Sequence, residues 1–172
     1  MTTKWTIDNS HSEIGFKVRH MMISNVSGNF GTFAGTAEST DAPSAFEFSA
    51  AIDSISTGVA DRDAHLKSDD FFNQAAFPNL TFKSTAVEVD GDEVKITGDL
   101  TIREVTKSIT LAAEKSAVVV DPYGQTKFGL SFNGKIKRSD FNLRWSAVTE
   151  AGSIVVSDDV KLLGELQFVQ QA

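Results

Sequence analysis

Residues 58–73, GVADRDAHLKSDDFFN, bring acidic, basic and imidazole side chains together more densely than any other stretch of the chain. Asp61 and His65 are four positions apart, so on a helix they would lie on one face. An acid and an imidazole placed in this way could act in acid–base catalysis or bind a metal ion. The same residue types also build an ordinary surface helix. Three interpretations therefore follow: an active site, a metal site and a capped helix.

The residues around Asp61 and His65 favour the helix. Arg62 and Lys67 add positive charge, which opposes a metal cation, and the chain contains neither His-x-His nor His-Glu-x-x-His. No Gly-x-Ser-x-Gly motif supports a Ser/His/Asp nucleophile. Asp61 and Asp63 suit the positive end of a helix, and Lys67 suits its negative end. We therefore predict a helix near residues 58–68 and no metal site.

The rest of the chain alternates between apolar and polar residues, which is typical of half-buried β-strands. The clearest strands are predicted over residues 13–20, 46–56, 93–102, 127–137 and 160–168. Residues 26–38 carry Phe30 and Phe33 at odd spacing among three glycines, and they are interpreted as one bent strand with a bulge. The expected fold is a single all-β domain, residues 1–172. It is an antiparallel up-and-down barrel of about eight strands with one short helix excursion.

The side chains assigned to the inner face of the barrel include no Asp, Glu, His, Lys or Arg. Acid–base chemistry would therefore have to lie at the barrel mouth. Gly98, Gly134 and Gly164 share the inward parity, and they are expected at barrel corners or where a ligand needs room. The alternation by itself fits a filled core and a lipid-holding cavity equally well.

Composition narrows the partners that the chain could bind. The 172 residues carry a net charge of −7 and no long basic run, which disfavours nucleic acid and anionic membrane surfaces. Cysteine is absent, which excludes disulfides and zinc thiolates. The N-terminus lacks the apolar run of a signal peptide, and no stretch is long enough to span a membrane. We expect a cytoplasmic location without membrane insertion, or a periplasmic or secreted one if a signal was removed.

Four segments taken together resemble the YceI-like family of lipocalin-like, polyisoprenoid-binding barrels. They are DNSHSEIGFKVRHMMISNVSGNFGTFAGT (8–36), DRDAHLKSDDFFNQAAFPNLTFKST (61–85), GDLTIREVTKSITL (98–111) and FGLSFNGKIKRSDFNL (128–143). The resemblance implies a barrel closed around a long apolar cavity, often in a homodimer. Its ligand would be an isoprenoid chain, an isoprenoid quinone or another long lipid, including fatty-acid derivatives. The family usually has glycine after Leu-Thr-Ile, where this chain has Arg103.

The resemblance implies a lipid carrier, storage or stress-related protein that is not an enzyme and needs no cofactor other than its bound lipid. The expected ligand-lining side chains are apolar and come from most of the strands: Phe16, Val18, Phe30, Phe48, Ile52, Phe72, Phe82, Ile96, Leu100, Ile102, Phe128, Leu130, Phe132, Leu162 and Leu166. The head-group candidates are Arg19, His20, Arg62 and His65. The alternatives are a small hydrolase or isomerase acting through His65 and Asp61 at the mouth, and a structural protein with a filled barrel.

Overall fold

The computed structural model describes residues 2–20, 24–68, 71–141, 143 and 156–171. Strands dominate these ranges, and one α-helix interrupts them. In chain order the elements are β1 (Thr3–Ile7), β2 (Glu13–His20), β3 (Ser24–Phe30), β4 (Phe33–Thr40), β5 (Ala42–Ala51), β6 (Ile55–Ser56), α1 (Ala60–Lys67), β7 (Asn79–Asp90), β8 (Glu93–Ile102), β9 (Val105–Lys115), β10 (Val119–Val120), β11 (Thr126–Lys137) and β12 (Val156–Gln170). Within the described ranges, no helix is both long and apolar enough to cross a membrane.

Eight antiparallel strands close into a barrel, as the alternation predicts. Their order is β11-β9-β8-β7-β5-β4-β1-β12, and the ring closes where β12 pairs with β11. Strand β12 pairs along its other edge first with β2 and then with β1, because a 3-10 turn at Asn9–His11 separates those two strands. Closure leaves the strands of the ring without free edges, which is the most complete protection that an antiparallel sheet can have.

The stretch interpreted as one bent strand, residues 26–38, is divided between two consecutive strands, β3 and β4. A bend at Gly31 and Thr32 separates them. Both strands run in the same direction, because β3 pairs antiparallel with β2 and β4 pairs antiparallel with β1, and β1 and β2 are both antiparallel to β12. The odd spacing of Phe30 and Phe33 arises because each belongs to a different strand and both are buried. Gly31 donates its backbone N–H to the carbonyl of Ser54 (3.1 Å), and this bond holds the bend against the chain that follows β5.

The predicted helix is present as α1, and it lies between β6 and β7. Asp61 and Asp63 lie in its first turn and Lys67 in its last, as the charge pattern indicates. Val59 occupies the N-cap position and makes no side-chain capping bond. The first turn of α1 is therefore held by other residues: Asp63 and Arg62 both form hydrogen bonds with Thr57.

One end of the barrel is filled with side chains. Trp5 meets Phe128 edge-to-face with ring centroids 4.7 Å apart, and Phe128 stacks on Phe168 at 5.0 Å. Phe168 and Ile96 have no exposed surface. Full burial of such side chains stabilises a fold by about 1.5–3 kcal/mol each. This end therefore supplies much of the stability of the barrel.

Of the three glycines with inward parity, Gly98 and Gly164 make room for phenylalanine rings from neighbouring strands, and Gly134 lies against the Leu111 side chain. A Cβ atom added to Gly164 would overlap the Phe132 ring, and one added to Gly98 would overlap the Phe82 ring. Gly35 is related to Phe48 in the same way. The sequence left barrel corners and ligand room open as reasons for Gly98 and Gly164. The structure shows that both accommodate a ring of the protein itself.

This packing predicts that Gly164→Ala destabilises the fold. The added methyl group would displace the Phe132 ring, and overpacking of a filled core costs about 1–3 kcal/mol. Gly129→Ala is the matched control in a neighbouring strand, because its nearest neighbour, Ser116 Oγ, would be 3.5 Å from the new Cβ atom. Urea unfolding of both variants should show a large loss of stability for Gly164→Ala only. An equal loss in both variants would contradict the packing.

Candidate functional site

The other end of the barrel is hollow. An apolar cavity of about 440 Å³ lies between α1, the segment that follows it and the walls formed by β2, β3, β11 and β12. Its volume lies within the usual range of small-molecule sites, about 300–1,000 Å³. The lining side chains are mostly aliphatic or aromatic: Phe16, Val18, Val26, Phe30, Leu66, Phe71, Phe72, Leu80, Ile102, Ile136, Leu143, Val160 and Leu162, together with Thr57, Asp61, Arg62, His65 and Arg138.

A smaller void of about 70 Å³ extends the cavity toward the middle of the barrel. The two spaces share four lining residues, Phe30, Leu80, Ile102 and Leu162. Phe48, Phe82 and Phe132 bound the smaller void, and Phe48 stacks on Phe82 and Phe132 with centroid distances of 5.9 and 6.2 Å. These three rings, here called the phenylalanine layer, lie between the hollow end and the filled end.

The structure distributes the predicted ligand-lining residues over three environments. The large cavity is lined by Phe16, Val18, Phe30, Phe72, Ile102 and Leu162. The smaller void is lined by Phe48, Phe82, Leu100 and Phe132. The remaining five are buried and line neither space: Ile52, Ile96, Phe128, Leu130 and Leu166. A role in ligand binding for any of these residues stays a prediction.

The polar groups of the cavity gather around the first turns of α1. Arg62 donates from Nε to Thr57 Oγ1 (2.7 Å) and from Nη2 to the Thr57 carbonyl (2.8 Å). Asp63 Oδ1 accepts from the N–H (2.8 Å) and the hydroxyl (2.6 Å) of Thr57. Four hydrogen bonds thus tie the helix to the chain before it and replace the missing N-cap. The two bonds from Arg62 use two of the five N–H groups of its guanidinium. The guanidinium also lines the cavity.

His65 stands one turn further along α1 and joins the helix to its anchor. Its ring meets that of Phe71 edge-to-face at 5.1 Å, and its carbonyl accepts from the Ser68 hydroxyl. Phe71 is buried, and Phe72 meets Phe30 edge-to-face at 6.5 Å. Both phenylalanines therefore hold the helix against the barrel.

Arg103 secures the same segment from the β8–β9 turn. Its Nη1 donates to the Phe71 carbonyl (3.1 Å), and its guanidinium lies 5.8 Å from the centre of the Phe77 ring. Its φ angle of 55° lies in the left-handed region, which favours glycine. The backbone at this position would suit glycine, and arginine adds a contact that glycine could not make.

Arg138 is a cavity residue that the sequence analysis missed. It is buried, with Nε donating to the Ser157 carbonyl (2.9 Å) and Nη1 to the Leu143 carbonyl (2.8 Å). Burial lowers the pKa of its guanidinium, and the negative charge of Asp158 opposes this effect. An arginine so placed stays protonated at neutral pH. Its position two residues after Ile136 continues the inward parity of β11, and this signal could have found it.

Of the two remaining head-group candidates, Arg19 does not join this group. Arg19 is exposed and lines a shallow recess on the outer surface of the barrel. The side chain of His20 lies outside the part that the structure describes. The structure therefore brings Arg62 and His65 together with Thr57, Asp61 and Arg138, and it places Arg19 on the opposite face of the cavity wall.

A second cluster contains Ser, His and Asp but does not have the geometry of a catalytic triad. Asp8 accepts from Ser10 Oγ (2.7 Å) and lies 2.9 Å from His11 Nδ1, and the same Nδ1 is 3.2 Å from Ser10 Oγ. A triad needs the two ring nitrogens to serve the acid and the serine separately. Hydrogen bonds from His11, Ser10 and Lys127 hold the pKa of Asp8 well below its usual range. The cluster therefore joins β11 to the β1–β2 turn through the contact between Lys127 and Asp8.

Comparison with known proteins gives consistent matches along the chain. The family model described as YceI-like domain matches residues 5–168. Protein YceI of Escherichia coli O157:H7 is 39% identical over 167 residues, which cover 95% of this chain and 84% of that protein. The crystal structure of a Campylobacter jejuni YCEI protein is 36% identical and covers 96% of both chains with a TM-score of 0.77.

A more distant structural match adds to the comparison of folds. A polyisoprenoid binding domain from Saccharophagus degradans, implicated in plant cell wall breakdown, has a TM-score of 0.70. It covers 97% of this chain and 98% of its own, at 17% sequence identity. Similarity at this identity establishes a shared fold. The match agrees with the closed barrel described above.

Proposed function

Because the chain belongs to the YceI-like domain family, we propose that it binds one long-chain apolar lipid in the hollow end of its barrel. The observation that carries this proposal is the cavity of about 440 Å³, which is almost wholly apolar and has its polar side chains gathered at α1 and Arg138. A lipid has a matching distribution of polarity, because its long chain is apolar and its head group at one end is polar. The protein would act as a carrier or store rather than as an enzyme.

The size of the cavity limits the chain that fits. A cavity of about 440 Å³ suits a ligand with a short apolar chain, such as farnesol. A longer chain would have to pass Phe30 and Leu162 into the smaller void and displace the phenylalanine layer. An isoprenoid is favoured as the ligand because a related fold is a polyisoprenoid binding domain. An isoprenoid quinone or a fatty-acid derivative fits the same chemistry.

The polar group at α1 would hold the oxygen atoms of the head group. Arg62 and Arg138 supply two positive charges against the single negative charge of Asp61. Guanidinium groups suit forked contacts with phosphate or carbonyl oxygens, and the His65 imidazole can donate a hydrogen bond to the same atoms. A head group with a hydroxyl, carbonyl or phosphate oxygen fits this site. We further propose that no other cofactor is needed, and a homodimer and a cytoplasmic location stay predictions.

The first test separates recognition of the head group from support of the helix. Arg62→Ala combined with His65→Ala should weaken the binding of farnesyl phosphate by at least about tenfold, since a hydrogen bond to a charged group contributes about 1.5–3 kcal/mol. Binding of farnesene, which has no head group, should change little. Calorimetry or fluorescence titration measures both affinities, and circular dichroism checks the fold.

Thr57→Val is the matched control for helix support. It removes the hydroxyl that joins Arg62 and Asp63 while it leaves both cavity cations in place. If the double variant and Thr57→Val weaken both ligands equally, the polar residues only support the helix. That result would remove the head-group role from the proposal.

The second test concerns the floor of the cavity. Phe132→Ala should enlarge the smaller void, so the variant should bind geranylgeraniol and solanesol better, relative to farnesol, than the parent does. Phe128→Ala is the matched control, because Phe128 belongs to the filled end and lines neither space. Both changes should reduce stability by about 3–5 kcal/mol. The same chain-length preference in both variants would show that the phenylalanine layer does not limit the ligand.

A further inference from the structure

Basic side chains gather on the outer surface of one barrel wall. Lys17 on β2 lies directly opposite Lys161 on β12, and Lys161 lies directly opposite Lys135 on β11. Arg19 follows Lys17 by two residues on β2, and Lys137 follows Lys135 by two residues on β11. All five side chains are exposed, and together they are called the basic patch. Like charges directly opposite each other destabilise a sheet, so this row does not arise from the needs of the fold.

One carboxylate within the patch offsets part of this charge. Asp159 accepts from Lys135 (3.2 Å) and Lys137 (3.3 Å), and these contacts hold its pKa below the usual value. The four lysines against this one acid leave an excess of three positive charges among these residues. The whole chain carries −7. Positive charge is therefore concentrated here in an otherwise acidic protein.

Acidic side chains form a separate row that crosses the same wall and continues onto β9 and β8. Glu13 on β2 lies opposite Glu165 on β12, and Glu165 lies opposite Ser131 on β11. The row continues through Glu114 on β9 to Glu93 on β8. Glu13 and Lys17 are four positions apart, which is about 13 Å along a strand. Opposite charges thus occupy different levels of the barrel, and the outer wall is polarised along its length.

The basic patch lies directly behind the cavity. Lys17 stands between Phe16 and Val18, and Lys161 stands between Val160 and Leu162. These four apolar neighbours all line the cavity. Because successive side chains of a strand point to opposite faces, the patch forms the outside of the wall whose inside lines the cavity. The acidic row lies nearer the filled end.

We propose that the basic patch docks the hollow end of the barrel on the surface of a bilayer that contains anionic lipid. The acidic row would be repelled by the same surface, so the protein would lie with its cavity end toward the lipid. Net charge alone disfavours such docking, but a membrane field falls off within a Debye length, so the local charge decides. The biological reason for docking rests on the proposed function, since a lipid ligand would enter or leave the cavity at a bilayer.

Co-sedimentation with vesicles tests the docking. The parent should bind vesicles of phosphatidylcholine with phosphatidylglycerol at low ionic strength, and it should bind vesicles of phosphatidylcholine alone much more weakly. Added salt should release it, because the Debye length falls from about 30 Å at 0.01 M to about 10 Å at 0.1 M. Lys161→Gln, in the middle of the row, should lower the partition coefficient about fivefold, the contribution of one basic residue at an anionic surface.

A matched pair of triple variants separates the patch from total charge. Lys17→Gln with Lys135→Gln and Lys161→Gln should lower binding by about two orders of magnitude. Lys83→Gln with Lys95→Gln and Lys107→Gln changes the net charge equally on exposed residues of β7, β8 and β9, and it should retain binding. Equal losses in both triple variants would overturn the proposal, as would a parent that ignores anionic vesicles. Binding to a DNA duplex but not to vesicles would also overturn it.

Uptake of farnesol from solution keeps this inference separate from the proposed function. The patch variant should bind farnesol with the affinity of the parent, because its substituted residues face away from the cavity. Farnesol binding without vesicle binding in the parent would reject the docking and leave the lipid site intact. Vesicle binding without farnesol binding would reject the lipid site and leave the docking intact.

Discussion

The stacking of Phe48 on Phe82 and Phe132 is the interaction on which the rest of the structure depends. These rings lie across the middle of the barrel, and glycines in neighbouring strands give them room against the wall. Below the layer, Trp5, Phe128 and Phe168 fill the interior and stabilise the fold. Above it, the space stays open. A barrel of eight strands can hold either packed side chains or a small ligand, and this one does both in different halves.

The charge pattern of residues 58–73 predicted the helix, and alternation predicted the strands and their inner faces. It could not predict which inward residues meet an open space, because Ile96 and Ile102 have the same parity in β8 but lie at different levels of the barrel. Those levels are set by the register of closure between β11 and β12. The bend between β3 and β4 was also difficult to place, since Phe30 and Phe33 could be assigned to one strand or to two.

The polar part of the cavity combines structural support with chemistry. Arg62 holds the first turn of α1 through Thr57 while its guanidinium borders the cavity, and Arg138 satisfies two backbone carbonyls at the same end. The sequence identified Arg62 and His65 through their dense charge pattern. Arg138 stands alone after a strand, so only parity pointed to it. Because the fold already holds these cations in place, a head group would meet a site that needs little rearrangement.

Native mass spectrometry of freshly purified protein tests the central claim most directly. The account predicts one added mass per chain that is released on activation and is identified after organic extraction as a long-chain lipid with a polar head. The same mass should be lost on delipidation and restored by an added prenol. Repeated preparations that carry no lipid and take up neither prenols nor fatty-acid derivatives would contradict the account, and they would leave the hollow end without a ligand.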